Sequence, residues 1–186
     1  MKETFKAGNM LYPLPAVLVS TRDADGKDNL MTVAWPGAGC TNPPMLYISV
    51  RKSRYSYTAL HQTKVFGINL TTEKLAWATD YCGVVSGSTH DKFKECHLTK
   101  EKAEEIDVSL VAESPVTIEC RIADERDLGS HVMLLAYVLS VHVDSKYMDE
   151  DGRFALEKAK PIVYSHGTYF SLGKELGTFG YSVKKK

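Results

Sequence analysis

Residues 132–143, Val-Met-Leu-Leu-Ala-Tyr-Val-Leu-Ser-Val-His-Val, form one long apolar run rich in valine and leucine. β-Branched residues are stiff at χ1 and fit a pleated, half-buried surface, so the run reads as a long strand. Upstream, residues 116–125 alternate apolar and polar, which puts Val116, Ile118, Cys120 and Ile122 on one face. Asp127-Leu128-Gly129-Ser130 makes a turn between the two segments. Shorter strand-like segments lie at 14–21, 30–35, 45–50, 64–70 and 161–164, with a hairpin signal at Asp25-Gly26 and a second turn at 149–152. Residues 36–44 carry two glycines and three prolines and read as a loop, as does the Gly/Ser-rich stretch 83–89. Helical patterns are few: 55–62, 71–81, and single turns at 91–95 and 100–105. The tail after 164 is Gly-rich and aromatic. Short strands with turns about every 8–12 residues predict a mainly β chain folded as a closed antiparallel barrel rather than βαβ units.

Size and charge narrow the function classes. At 186 residues, with no repeat or linker, one domain over 1–186 is the economical organisation. Basic and acidic residues balance at 23 each, which removes the electrostatic case for nucleic acid. Lys184–Lys186 reads as a small solvating tail. No apolar run approaches the ~20 residues of a membrane helix, and the charged start Met1-Lys2-Glu3-Thr4-Phe5-Lys6 lacks an apolar signal core. A cytoplasmic location follows as the expectation. Cys40, Cys82, Cys96 and Cys120 form no C-x-x-C pair, and the spacing around His90, Cys96 and His97 does not suit a structural metal site, so no metal is expected and the thiols are expected reduced. Neither a G-x-G-x-x-G after a strand nor a G-x-x-x-x-G-K-[ST] occurs, so neither a Rossmann domain nor a P-loop is expected.

Chemistry concentrates around residues 45–60. A strand over 45–50 breaks into the polar turn 51–54 and then a helix, with Ser53 where an N-cap belongs. A helix start attracts anions, and Arg51, Arg54, Ser53, Ser56 and Thr58 surround it. The stretch reads either as a phosphate site or as a solvated, capped turn. Trp35, beside the Gly/Pro loop, reads as a platform for a flat ligand or as a core aromatic. Asn69, at a strand end, reads as a ligand contact or a turn cap. Residues 83–92 offer close backbone approach and the charge of Lys92, or a plain surface loop. His131 reads as a proton donor or anion contact, or as an exposed turn histidine.

Taken in order, Asn29-Leu30-Met31-Thr32-Val33-Ala34-Trp35, Asn42 to Arg51, Phe66-Gly67-Ile68-Asn69, Ser86-Gly87-Ser88 with Asp91-Lys92-Phe93, and Gly129-Ser130-His131 resemble the flavin reductase-like, flavoredoxin family over roughly residues 8–181. The resemblance implies a Greek-key, FMN-binding split β-barrel, a homodimer with FMN near the subunit interface. It implies that Met31, Thr32, Val33, Ala34 and Trp35 line the flavin ring, with Asn29 a further cofactor-binding residue. Ser49, Arg51, Ser56 and Tyr55 would hold the ribityl phosphate, Val50 would be a further cofactor-binding residue, Lys92 would reach the phosphate with Ser86 and Ser88 close by, and Asn69 would sit near the flavin. His131 matches the histidine of the family's Gly-Asp-His motif, near the nicotinamide, with Ser130 in place of the acid. The implied activity is an NAD(P)H-dependent FMN reductase passing electrons to a small-molecule or redox-protein acceptor. The alternatives are an FMN electron carrier reduced by a partner protein and, more remotely, a barrel that binds no flavin. Arg54 has no role in the resemblance and is expected to be a solvated charge.

Overall fold

The computed structural model describes residues 1–183; the basic tail 184–186 lies outside them. In chain order the strands and helices are β1 (Leu14–Pro15), β2 (Val17–Arg22), β3 (Asp28–Val33), β4 (Pro36–Cys40), β5 (Met45–Val50) and α1 (Tyr55–Thr63). There follow β6 (Val65–Leu70), α2 (Ala76–Val84), α3 (Lys92–Glu95), β7 (Lys100–Lys102), β8 (Ser109–Val111), β9 (Val116–Asp127), β10 (Val132–Val143), β11 (Ile162–Ser165) and β12 (Thr168–Ser171).

Seven strands form one antiparallel sheet in the order β3-β2-β6-β9-β10-β5-β4. Its two outermost strands, β3 and β4, are consecutive in the chain and joined only by Ala34-Trp35. The sheet therefore curls back on itself, and the Ser49 N–H, donating to the Trp35 carbonyl at 3.1 Å, extends the β4–β5 ladder into that connection. Two register shifts along β9–β10, at Leu135/Ala136 and Val138/Ser140, supply the bend that closure needs. Period-2 alternation then fills the interior: Val17, Val19, Met31, Val33, Ile48, Val50, Phe66, Ile68, Cys120, Val132, Leu134 and Ala136 form one core, with Leu60 from α1. The outer face of β2–β3 is buried too. Leu18 and Leu30 pack beneath Ala78 and Cys82 of α2 and Phe93 of α3.

Several segments differ from the sequence expectation. Residues 36–44 are not all loop: Pro36–Cys40 is the edge strand β4. Proline is tolerated on an edge, and a Cβ on Gly37 would stand 2.5 Å from the Tyr47 ring, so glycine lets the tyrosine lie across the strand. Residues 100–102 are strand, not helical turn, because β8 pairs with them. The segment 14–21 splits at Ala16, and β1 joins a small separate sheet with β11 and the unanticipated β12. Helix α2 continues through Gly83 and Val84, which were expected in a loop. The N-cap of α1 is Arg54, in extended backbone with no side-chain cap, and Ser53 belongs to the preceding turn. Glu119, on the face opposite Cys120, is fully buried. It accepts from the N–H groups of Glu104, Glu105 and Ile106 and pairs with His142 Nε2 at 2.7 Å, which pins the 103–108 segment to the barrel.

Candidate functional site

Where β3 and β5 end, the barrel mouth opens into a cleft of about 420 Å³. Its floor is Thr32, Val33, Ala34 and Trp35 leaving β3, and Ser49, Val50 and Arg51 leaving β5. The last turn of α2 supplies Asp80, Gly83 and Val84, and His131 enters from the start of β10. The β11–β12 hairpin and the chain before β1 add Tyr164, Tyr169 and Tyr12. Thr32 Oγ1 donates to the Thr79 carbonyl, fixing β3 to α2. Trp35 and His131 lie face to face, centroids 4.7 Å apart and tilted by 33°. His131 Nδ1 is 2.9 Å from Ser130 Oγ. Burial, and secondarily the Arg51 guanidinium, pull the His131 pKa below its ordinary value, so the imidazole is neutral at pH 7. Burial, then the carboxylate of Asp80, push the Tyr169 phenol up to about 12.

A smaller pocket of about 90 Å³ adjoins this cleft, and Arg54 and Val84 line both. Its polar groups come from Asn29, Ser53, Arg54, Tyr55, Ser56, Ser86 and Lys92, and Met31, Val84, Val85 and Gly87 complete the lining. Asn29 Nδ2 donates to Ser56 Oγ at 2.7 Å, and Thr21 Oγ1 donates to the same oxygen at 3.3 Å. Lys92 is 4% exposed, and its Nζ donates to the carbonyls of Leu30 (2.7 Å) and Cys82 (2.9 Å). An ammonium has three protons, so one remains for an occupant of the pocket. Burial lowers the Lys92 pKa, and the charge of Arg54 adds to the effect. A bound anion would oppose both. Arg54 is half-buried, and its Nη1 donates to the Gly83 carbonyl at 2.7 Å, at the negative end of α2. The 86–88 loop is held close: Lys27 Nζ donates to the Gly87 carbonyl at 2.8 Å, and a Cβ on Gly87 would come within 2.2 Å of Asn29 Oδ1. A compact cationic, hydroxyl-lined pocket thus opens into a larger aromatic cleft, which suits a phosphate joined to a planar ring system.

The flavin reductase like domain matches residues 9–173. The structure of flavoredoxin of Desulfovibrio vulgaris (Miyazaki F) is 30% identical, with 99% of this chain and 100% of that one covered and a TM-score of 0.92. The chain belongs to the flavin reductase-like family. Flavoredoxin from Methanosarcina acetivorans shares the fold, with a TM-score of 0.86 at 24% identity over 98% of each chain. An uncharacterized protein of Aeropyrum pernix is 28% identical over 156 residues, 83% of this chain. This chain spans only 58% of the length of that relative. The fold is the split barrel of flavoredoxin.

Within this flavin reductase-like domain the sequence candidates divide between the two compartments. Thr32, Val33, Ala34, Trp35, Ser49, Val50, Arg51 and His131 line the cleft. Asn29, Met31, Tyr55, Ser56, Ser86 and Lys92 line the polar pocket. Two candidates reach neither. Asn69 is fully buried, donating to the Leu18 carbonyl (3.0 Å) and Ser20 Oγ (3.3 Å) and accepting from the Val111 N–H (2.8 Å), so its polar atoms tie β6 to β2 and β8. Ser88 is exposed and pairs with Ser86 Oγ at 2.9 Å. Arg54, expected to be a solvated charge, stands between the compartments instead. Sequence reasoning also missed Tyr12, Asp80, Tyr164 and Tyr169, which arrive from distant segments. The aromatic character of the tail was the only local signal, and it bears on Tyr169 alone.

Proposed function

We propose that the chain is an FMN-binding oxidoreductase that takes electrons from NADH or NADPH and passes them to an acceptor. The observation that carries this reading is the pair of joined compartments, a phosphate-sized pocket with Arg54 and Lys92 opening into a ring-sized cleft floored by Trp35. FMN, when bound, supplies the redox chemistry. Ser56, Ser86, Lys92 and Arg54 would hold its phosphate, and Thr32 to Trp35 would face its ring. His131, neutral at pH 7 through burial and Arg51, would stand at the nicotinamide side and offers a hydrogen bond without a charge. A homodimer in the cytoplasm, built around the cofactor, completes the proposal. An anaerobic absorbance titration of the FMN-loaded protein tests it: NADH or NADPH bleaches the flavin band near stoichiometry. Bleaching by dithionite but by neither nucleotide defeats the reductase reading. It would favour a second one, an electron carrier reduced by a partner protein, for which the neutral Ser130 beside His131 is the supporting observation.

A further inference from the structure

Behind the Trp35–His131 pair lies a second recess, of about 730 Å³. Trp35, Ser49 and His131 line both it and the cofactor cleft, so the pair is a shared wall. Its far side is apolar: Met10, Leu11 and Leu14 from the N-terminal segment, Tyr47, Leu128 and Met133 from the barrel. No Asp, Glu, Lys or Arg side chain lines it, in contrast to the cleft and polar pocket, which have Arg51, Arg54 and Lys92. The volume falls in the range of small-molecule sites, roughly 300–1,000 Å³. An ionic occupant would be desolvated there without a partner, so a charged nucleotide is disfavoured. Its side-chain hydrogen-bonding groups are the Trp35 indole N–H, Ser49 and His131 on the shared wall, Ser130 beside it, and Asn9 and the Tyr47 phenol farther out. The Ser130 hydroxyl lies 2.9 Å from Nδ1, and in the tautomer where it donates there, His131 carries its proton on Nε2, free to donate to a carbonyl oxygen.

We infer that this recess binds an uncharged, planar, largely apolar carbonyl compound of one or two rings, the chemistry of a quinone, placed against the far side of the cofactor wall. As an acceptor site the inference rests on the proposed function; as a binding site it does not. The balance of the reaction is that NAD(P)H gives a hydride, solvent gives one proton, and the quinone becomes the hydroquinone.

The test uses 2,3-dimethyl-1,4-naphthoquinone, whose blocked ring carbons prevent addition of the exposed Cys40 thiol. Equilibrium dialysis of the full chain, with and without saturating FMN, is expected to give one saturable site per chain that FMN does not displace. Met133→Asp and Leu11→Asp each weaken it at least tenfold and leave FMN content unchanged. Leu11 is 80% exposed, so the second variant keeps its fold. Probe binding without FMN binding would sustain this site while removing the flavin reading. The inference is overturned by no saturable binding, by displacement with FMN, or by unchanged affinity in both variants. It is also overturned if Leu11→Asp converts a dimer to monomers in light scattering, which would make the recess an interface between copies.

Discussion

The division into compartments assigns different jobs to two arginines three residues apart, and that difference is measurable. Arg54 borders the polar pocket; Arg51 borders only the larger cleft. Arg54→Ala removes a charge-assisted contact to a phosphate, worth about 1.5–3 kcal/mol. At 1.4 kcal/mol per tenfold, FMN affinity falls about 10- to 140-fold. Riboflavin has the same ring but no phosphate, so its affinity should change less than about threefold. The variant also loses the Arg54–Gly83 hydrogen bond, about 1 kcal/mol, which for a chain of this size lowers Tm by about 2–4 °C. Arg51, exposed and without an ion pair among the described residues, should leave Tm unchanged when replaced by alanine, and should weaken FMN and riboflavin alike. Quenching of flavin fluorescence on titration into apoprotein gives all four affinities. The reasoning fails if Arg51→Ala is the phosphate-selective variant, or if Arg54→Ala weakens riboflavin as much as FMN.

Asn69→Ala should cost about 2–4 kcal/mol in urea unfolding, because it leaves the buried Val111 N–H and Leu18 carbonyl short of partners, yet FMN affinity should stay within about twofold. A large affinity loss with intact stability would return Asn69 to the site. Gly87→Ala should weaken FMN by about tenfold or more, since the new Cβ displaces Asn29 or the loop, and alanine at the more distant, exposed Gly152 serves as a control in the same titration. Asp28 bears on acid stability. Burial alone would raise its pKa, but hydrogen bonds from Arg22, Lys100 and Ser109 outweigh it and hold the carboxyl at about 2. A depressed folded pKa contributes stability that is complete above the unfolded value of 3.8 and is lost as pH falls from there toward 2. The difference corresponds to about 2 kcal/mol. Urea midpoints from pH 6 to pH 2 should therefore fall more steeply for the wild type than for Asp28→Asn, and parallel curves would refute the assignment.

Local signals made the barrel strands legible. β5, β6, β9 and β10 carry β-branched or alternating residues whose period alone selects strand and face, and α1 follows β5 through an unambiguous polar turn. What escaped depended on a partner elsewhere. β7 reads Lys-Glu-Lys and has no apolar signal; it is a strand because β8 pairs with it. Pro36–Cys40 looks like a loop until Tyr47 on the neighbouring strand gives Gly37 a purpose. Glu119 falls at a polar position of an alternating pattern and reads as outward, and the backbone of 104–106, folded over it, together with His142 makes its burial affordable.

The same distinction runs through the site. Ser56 and Lys92 carry local signals, hydroxyls at a helix start and a lysine after a small-residue loop, that suit an anion wherever the chain goes, and both line the polar pocket. Arg54 was misjudged because its value is geometric: the guanidinium is fixed by a carbonyl of α2, a helix whose position depends on Leu18, Leu30 and Cys82 packing behind the barrel. Asn69 failed in the opposite way. Its residue type suits ligand binding, but a strand flanked by two others left its amide facing a carbonyl and an N–H that needed it more. A buried polar side chain satisfied by backbone has no capacity left for a ligand, whereas Lys92, with a proton to spare, and Arg54, with most of its fork to spare, do. Counting uncommitted donors thus separates the residues that can recognise a cofactor from those that hold the barrel in shape around it.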